Sequence, residues 1–195
     1  MKTFTTLGFI NSTLLLFLLT PISFSLMAAE WNPPHKFKND SIRIGAYPRT
    51  PSQMAAFYEG RGFPKNAIDE TTKYCFITIG MRNIGNKKIW LDLANWRFYD
   101  KQGDIERKNR EQWKKTWTNL NVPLANQSTF YWSTLPESRD LHRDEPVGGN
   151  VMLTPTYTPF TIEARFATGE NKQGDPLVVR IENIRCLKNG EEKSK

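Results

Sequence analysis

Few residues of this chain could do acid–base or metal chemistry, because it contains only two histidines, His35 and His142. His142 lies in a polar segment, 137–150, that is rich in charged side chains. The acidic residues around it include Asp140, Asp144 and Glu145. Arg139 and Arg143 stand among them, and nearby positive charge opposes the binding of a cation. The sequence therefore predicts salt bridges in this segment, with no metal site and no cofactor.

Segment 137–150 also contains the residue types of two hydrolytic chemistries. Sugar hydrolysis needs two carboxylates at a defined separation across the scissile bond, which neighbouring acids in one segment do not establish. Ser138, His142 and Asp144 could form a nucleophilic triad, but no strand–turn–helix context presents the serine. An envelope hydrolase or metal-handling protein remains the alternative function. Its residues would be His142, Asp140, Asp144 and Glu145.

Cations and indoles are interleaved in the segment 104–118, which is the strongest binding candidate of the chain. The candidate binding residues are Arg107, Lys108, Arg110, Trp113, Lys114, Lys115 and Trp117. Cations beside exposed tryptophans suit an anionic polymer, a sugar or a membrane interface. Nucleic acid uses the same ingredients, but an exported protein rarely meets it, so no nucleic-acid partner is expected. The competing interpretation buries both tryptophans beneath a solvated basic face.

The chain has two cysteines, Cys75 and Cys186. In an oxidising compartment, an even cysteine count is typical of pairing. The bond would close a loop of roughly 110 residues, for which the chain-entropy model gives about 4–5 kcal/mol. We expect it to join an early core strand to the last one. Two buried thiols are the alternative, and the lack of a Cys-x-x-Cys motif disfavours a redox-active pair.

The first 29 residues have the layout of a secretory signal peptide. Lys2 supplies a positive start, residues 14–19 form an apolar run, and small residues follow. Cleavage is predicted after Ser25 or after Ala29. The apolar run is too short for a spanning helix, which needs about 20 mainly apolar residues, and no later segment could span. We expect a soluble protein in the periplasm or outside the cell.

The remainder suits one domain, residues 30–187, followed by a disordered charged tail at 188–195. The formal net charge of the whole chain is +7. A moderate positive charge favours anionic partners, although it also serves solubility alone.

A short helical insert is predicted near residues 51–70. Thr50 suits an N-cap, Pro51 suits the first helical position, and Gln53 completes a capping box. Glycines end this helix, and Pro64 opens a second, shorter one.

Alternation of apolar and polar residues predicts strands in most of the rest of the chain. The predicted strands cover 41–47, 74–81, 89–98, 120–124, 129–135, 160–167 and 177–186. Changes of parity predict a break or bulge near Ala94 or Asn95 and a bulge at Glu182 or Asn183. Residues 100–103 close a hairpin. Residues 137–150 are predicted as a long loop, and 104–118 as either a helix or an irregular strand pair.

About seven strands with these turn signals favour a mainly β fold, an immunoglobulin-like antiparallel β-sandwich with the helical insert. The run FITIGMRNIGNKKIWLDLANWRFYDKQGD, residues 76–104, resembles the opening hairpins of small immunoglobulin-like bacterial exported domains. Residues 120–132 resemble their later strand pair. The mature chain thus resembles uncharacterised bacterial periplasmic proteins. The resemblance implies a fold and a compartment, and no functional residues carry over from it.

The sequence favours a non-enzymatic binding or assembly module of the cell envelope over an enzyme, because it contains no catalytic motif. Its predicted contact surfaces are residues 104–117 and 137–150. The expected partner is an envelope protein or an anionic envelope polymer.

Overall fold

The computed structural model describes residues 32–191. The predicted signal peptide, residues 1–29, lies outside the described residues, as do residues 192–195. The described part of the chain forms two antiparallel sheets and four α-helices.

The first sheet combines three early strands with one late strand. Its members are β1 His35–Lys38, β2 Ile42–Arg49, β3 Cys75–Asn83 and β8 Pro146–Leu153. Neighbouring strands are antiparallel, in the order β1–β2–β3–β8. Because β8 comes last in this order, one of its two sides has no strand of the sheet beside it.

The second sheet is arranged around one central strand. Its members are β4 Ile89–Asp92, β5 Trp96–Asp100, β6 Gly103–Asp104, β7 Ser138–Leu141, β9 Phe160–Thr168 and β10 Gly174–Ile184. β10 pairs along one side of β9, while β4 and β5 share the other side. β7 pairs with β4 at one end of this sheet.

The main core lies between the two sheets. On β3, Cys75, Ile77, Ile79 and Met81 alternate toward this core, where they join buried residues of β9. Phe76 points to the opposite face and is also buried. The first sheet is therefore covered on both faces, by the second sheet and by helices.

Four helices cover the outer face of the first sheet. They are α1 Pro51–Glu59, α2 Lys65–Thr71, α3 Arg110–Asn119 and α4 Leu124–Ser133. Their buried side chains form a second apolar cluster with Phe76 of β3 and Met152 of β8. The predicted helical insert near 51–70 accounts for α1 and α2 only, so the fold is mixed α/β rather than mainly β.

The predicted capping box at α1 is confirmed. The Thr50 hydroxyl accepts a hydrogen bond from the Gln53 N–H at 3.2 Å, and the Gln53 side chain accepts one from the Thr50 N–H at 3.1 Å. Pro51 follows as the first helical residue. These contacts satisfy donors that a helix start leaves unpaired.

Both predicted breaks in the alternation of apolar and polar residues are present. Leu93–Asn95 forms a short 3-10 helix between β4 and β5, which brings Leu93 and Trp96 into the same core. The register of β10 against β9 shifts between Ile181 and Ile184. Asn183 has a φ of 59° within this shift. The extra residue directs Cys186 inward.

The predicted disulfide is confirmed. Cys75 Sγ and Cys186 Sγ are 2.07 Å apart, and the two Cα atoms are 5.5 Å apart. Because Cys75 begins β3 and Cys186 follows β10, the bond ties the first sheet to the second.

Two predicted strands are wrong. Residues 129–135 lie mostly in α4, and 120–124 lead into it, while the ambiguous segment 104–118 contains the start of α3. The reason is packing between α3 and α4. The Phe130 ring lies 4.8 Å from the Trp113 ring and 4.9 Å from the Trp117 ring, measured between centroids. A short apolar run does not separate helix from strand by periodicity alone.

The predicted loop at 137–150 is also wrong. Most of this segment belongs to β7 and β8, with residues 142–145 as the connection between the two sheets. The segment is polar because β7 and β8 are each the last strand in the order of their sheet. The predicted tail begins as a turn, in which the Asn189 side chain accepts a hydrogen bond from the Ser52 N–H at 2.9 Å.

Candidate functional site

The two tryptophans of the predicted binding segment are buried. Trp113 is 1 % exposed and Trp117 is not exposed at all. Their rings stack with centroids 4.7 Å apart. They lie one helical turn apart on the face of α3 that packs against α4. The structure thus corrects the stacking role predicted for them, because neither ring can reach a ligand at the surface.

Two of the predicted cations are held by internal partners. Arg107 forms a bidentate ion pair with Glu137, at 2.9 and 2.7 Å. Lys108 Nζ lies 2.8 Å from the Tyr74 hydroxyl and 3.3 Å from Glu70 Oε1. Burial raises the pKa of Glu137, but the hydrogen bonds and charge of Arg107 outweigh it, so the pKa lies below its usual value. Arg107 thus ties the segment before α3 to the segment before β7, and Lys108 ties it to α2 and to Tyr74.

The other three predicted cations, Arg110, Lys114 and Lys115, are exposed. The Arg110 guanidinium lies 4.4 Å from the centroid of the Tyr131 ring. Among residues 32–191, no carboxylate oxygen lies within 4 Å of this guanidinium. Lys114 follows one turn later on α3, so the two charges lie near one another.

A surface groove begins at Arg110 and runs between α4 and the edge of β8. Residues of α3, α4, β7 and β8 line this α4–β8 groove, including Arg110, Tyr131, Trp132, Pro136, Arg139 and Gly148. Its volume is about 590 Å³. Arg110, one of the predicted binding residues, thus lines the groove. Arg139 lines it as well and is the cationic residue that the predicted 137–150 surface contributes.

Trp132 is the residue that sequence reasoning missed. Its side chain is 88 % exposed, whereas Trp113 and Trp117 are buried. A strand through 129–135 gave no reason to place Trp132 outward. The helical conformation explains the exposure of Trp132. Phe130 occupies the buried face of α4, and Trp132, two residues later, lies on another face of the helix.

A small cavity lies beneath the groove. Its volume is about 10 Å³, at the lower limit for holding one water molecule. Trp113 and Tyr131 line it, and within the described residues neither the Trp113 Nε1–H nor the Tyr131 O–H has a hydrogen-bond partner. Burial raises the pKa of Tyr131, against the charge of Arg110. Tyr131, Arg110 and Thr134 border both the cavity and the groove.

The acidic residues of the alternative enzymatic or metal site form ion pairs with neighbouring basic side chains. Glu145 accepts a hydrogen bond from the His142 N–H at 3.0 Å and pairs with Arg139. That backbone hydrogen bond, followed by Arg139, lowers the pKa of Glu145. Asp140 Oδ2 lies 3.6 Å from His142 Nε2 and 3.8 Å from Lys88 Nζ. Asp144 pairs with Arg143. Within 32–191, no group of three or more His, Cys, Asp or Glu could hold a metal ion.

The edge of β8 forms one wall of the groove. On the side away from β3, the Asn150 carbonyl accepts from the Leu135 N–H at 3.0 Å and the Met152 carbonyl from the Lys108 N–H at 2.9 Å. Alternate residues of a strand direct their main-chain groups to the same side. Gly148, two residues before Asn150, therefore directs its N–H and C=O into the groove, and it is exposed.

The chain is distantly similar in structure to two known proteins, and it matches no protein family. No protein-family model and no curated sequence matches the chain. The "putative lipoprotein" YcdA of Bacillus subtilis superposes with a TM-score of 0.41 at 11% identity, over 76% of this chain and 38% of YcdA. The YjhA protein of Bacillus subtilis superposes with a TM-score of 0.38 at 12% identity, over 68% of this chain and 78% of YjhA.

Two features of the chain bear on its compartment. Within the described part of the chain, no helix is long and apolar enough to cross a membrane. The disulfide fits an oxidising compartment, as expected of an exported protein.

Proposed function

We propose that this protein is an exported, non-enzymatic binding or assembly module of the cell envelope, and that the α4–β8 groove is its ligand-contacting surface. The Cys75–Cys186 bond and the predicted signal peptide support export to the periplasm or beyond. The two antiparallel sheets that enclose the main core agree with the sandwich-type core expected of an exported binding domain. The expected partner is an envelope protein or an anionic envelope polymer.

The observation that carries the proposal is the side chain of Trp132, 88 % exposed in a groove that also contains an unpaired cation, Arg110. Single exposed apolar residues are common and need no explanation. Here the exposed indole shares a concave surface with a guanidinium and with the Tyr131 ring. Tryptophan, tyrosine and arginine are the residues most enriched among those that dominate the energy of a binding interface.

Lys114 and Lys115 extend this surface along α3. Neither takes part in an ion pair among residues 32–191. Their contribution to binding is part of the proposal, and the charge-reversal variant Lys114→Glu/Lys115→Glu tests it separately from the groove.

Photo-crosslinking in intact cells tests the proposal. The photoreactive residue p-benzoylphenylalanine replaces Trp132, and in a control protein it replaces Tyr157, which is 59 % exposed and lies outside the groove. We expect a crosslinked envelope component at position 132 that is absent at 157 and is lost when Arg110→Ala is added. Equal products at both positions, or products that persist without Arg110, would show that the groove is not the contact surface.

A further inference from the structure

We infer that the α4–β8 groove binds an extended, acidic peptide segment of a partner protein, which pairs with the free edge of β8. This inference rests on the proposed function and names the ligand class of the same groove. Three properties of the groove lead to it: unpaired main-chain groups, an unpaired cation and an exposed aromatic ring.

The main-chain groups are those of the first half of β8. The segment after α4 already lies beside the second half, where Thr134 and Asn150 form a parallel bridge and Leu135 donates to Asn150. Pro136 follows, and the chain then turns away into β7. The N–H and C=O of Gly148 are left on the uncovered part of the same edge. An added strand would satisfy them, as in peptide recognition by strand addition.

The uncovered edge is short, which limits what can bind there. Pro146 has no N–H, so Pro146 and Gly148 together offer one donor and two acceptors to a new strand. Proline on an edge strand also prevents extended pairing with another sheet. The edge is therefore suited to a short peptide segment, and main-chain pairing alone would be weak.

Charge supplies the preference for an acidic segment. The Arg110 guanidinium has no carboxylate within 4 Å among residues 32–191. The nearby Glu137 carboxylate accepts a hydrogen bond from the Arg110 main-chain N–H at 2.9 Å, but it forms no ion pair with the guanidinium. Glu137 is neutralised by its bidentate pair with Arg107, and Arg139 by its pair with Glu145. Arg110 is thus the one cation lining the groove whose charge is not already paired within the described residues. A peptide carboxylate would pair with it through charge-assisted hydrogen bonds.

The aromatic ring completes the fit. Trp132 and Pro136 line the same groove as Gly148 of β8. A strand paired with Gly148 would direct alternate side chains toward and away from the indole. A carbohydrate could stack on Trp132 as well, but it would not supply the alternating donors and acceptors that the β8 edge lacks.

Selection from a random heptapeptide library displayed on phage identifies the ligand class without knowledge of the partner. We expect wild-type protein to enrich peptides rich in Asp and Glu, and the variant Arg110→Glu to lose them and enrich Lys and Arg instead. For one selected peptide, Arg110→Ala should weaken binding about tenfold, the effect of losing one charge-assisted hydrogen bond. Lys65→Ala, on the exposed face of α2, serves as the matched control.

Amide hydrogen exchange decides whether the peptide pairs with β8. We expect the selected peptide to slow exchange of the Gly148 amide by about tenfold, with no change at Gly190 in the C-terminal turn. An unprotected Gly148 amide, or enrichment that is indifferent to the charge at position 110, overturns the inference. So does protection of Gly148 that grows with protein concentration alone, because a second copy would then occupy the edge.

The two proposals fail in distinguishable ways. If crosslinking at position 132 captures an Arg110-dependent envelope component while no peptide is selected, the groove is a binding site for another ligand, such as an anionic polysaccharide. If crosslinking at position 132 is no different from position 157, the groove has no ligand and both proposals fall.

Discussion

The Trp113 ring stacks on the Trp117 ring, with centroids 4.7 Å apart and an angle of 27° between the planes. The Phe130 ring of α4 packs against both indoles, with its centroid within 5 Å of each of theirs. The pair therefore forms the centre of the apolar cluster that holds the helices to the first sheet. The basic residues of segment 104–118 therefore surround a structural cluster, and the binding role that we propose falls to the exposed Trp132 instead.

Replacing the buried indole should therefore destabilise the protein far more than replacing the exposed one. We expect Trp113→Ala to cost about 3–5 kcal/mol of unfolding free energy, as for other buried aromatic residues. Trp132→Ala removes the same side chain from the surface and should change stability by no more than about 0.5 kcal/mol. Urea titration of both variants measures the difference. Comparable losses would mean that Trp132 is packed as well.

Sequence patterns predicted the parts of the fold that local chemistry determines. The Thr50–Gln53 capping box, the irregularity near Asn183 and the pairing of Cys75 with Cys186 each depend on residue types at close spacing or on the cysteine count. The capping box and the irregularity are local, whereas the disulfide joins distant segments but is the single pairing that two cysteines allow.

The candidate site could not be predicted in the same way, because it depends on which elements meet. The run Thr129–Leu135 contains β-favouring residues, yet Phe130 is drawn into the Trp113–Trp117 cluster and the segment becomes α4. Pro123, just before α4, was the available signal for a helix start. Nothing in the sequence indicates that β8 is an edge strand, since that follows from strand order between distant segments.

Removal of the disulfide should lower stability strongly, because Cys75 and Cys186 are separated by 111 residues. For a loop of this length the chain-entropy model gives about 4–5 kcal/mol. We expect the variant Cys75→Ala/Cys186→Ala to lose about this amount in urea titration. Wild-type protein purified without reductant should resist alkylation of its cysteines when denatured. Alkylation of both thiols under that condition would contradict the disulfide and the export that it supports.

Residues 134–136 pass close to β8, and this close approach should require glycine at position 149. A Cβ atom at this position would overlap the Leu135 nitrogen and lie 2.6 Å from the Thr134 carbonyl oxygen. Gly149→Ala must displace this segment, and we expect a loss of about 1–3 kcal/mol together with altered exposure of Trp132 in fluorescence quenching. Gly148→Ala is the neighbouring control. Its Cβ would lie 3.1 Å from the Ile79 carbonyl oxygen, so a smaller loss and unchanged quenching are expected.

The ion pair between Glu137 and Arg107 should make stability depend on pH in the acid range. Burial opposes ionisation of Glu137, but the hydrogen bonds and charge of Arg107 hold the pKa of its carboxyl group below the usual value. A carboxyl group with a lowered folded pKa stabilises the protein above the unfolded pKa, and this contribution disappears as pH falls through the folded pKa.

Glu137→Gln should therefore be less stable than wild type at pH 7, by about 1 kcal/mol for a pair that is partly exposed, and the two proteins should converge on acidification. Urea titrations at neutral pH and below pH ~4 measure this difference. Glu59→Gln, on the exposed side of α1, removes a carboxylate that has no ion pair among residues 32–191, and it serves as the matched control for the loss of one negative charge. If the difference in unfolding free energy between wild type and Glu137→Gln grew as the pH fell, the direction of the pKa change would be contradicted. It would also remove the reason for treating Glu137 as neutralised beside Arg110.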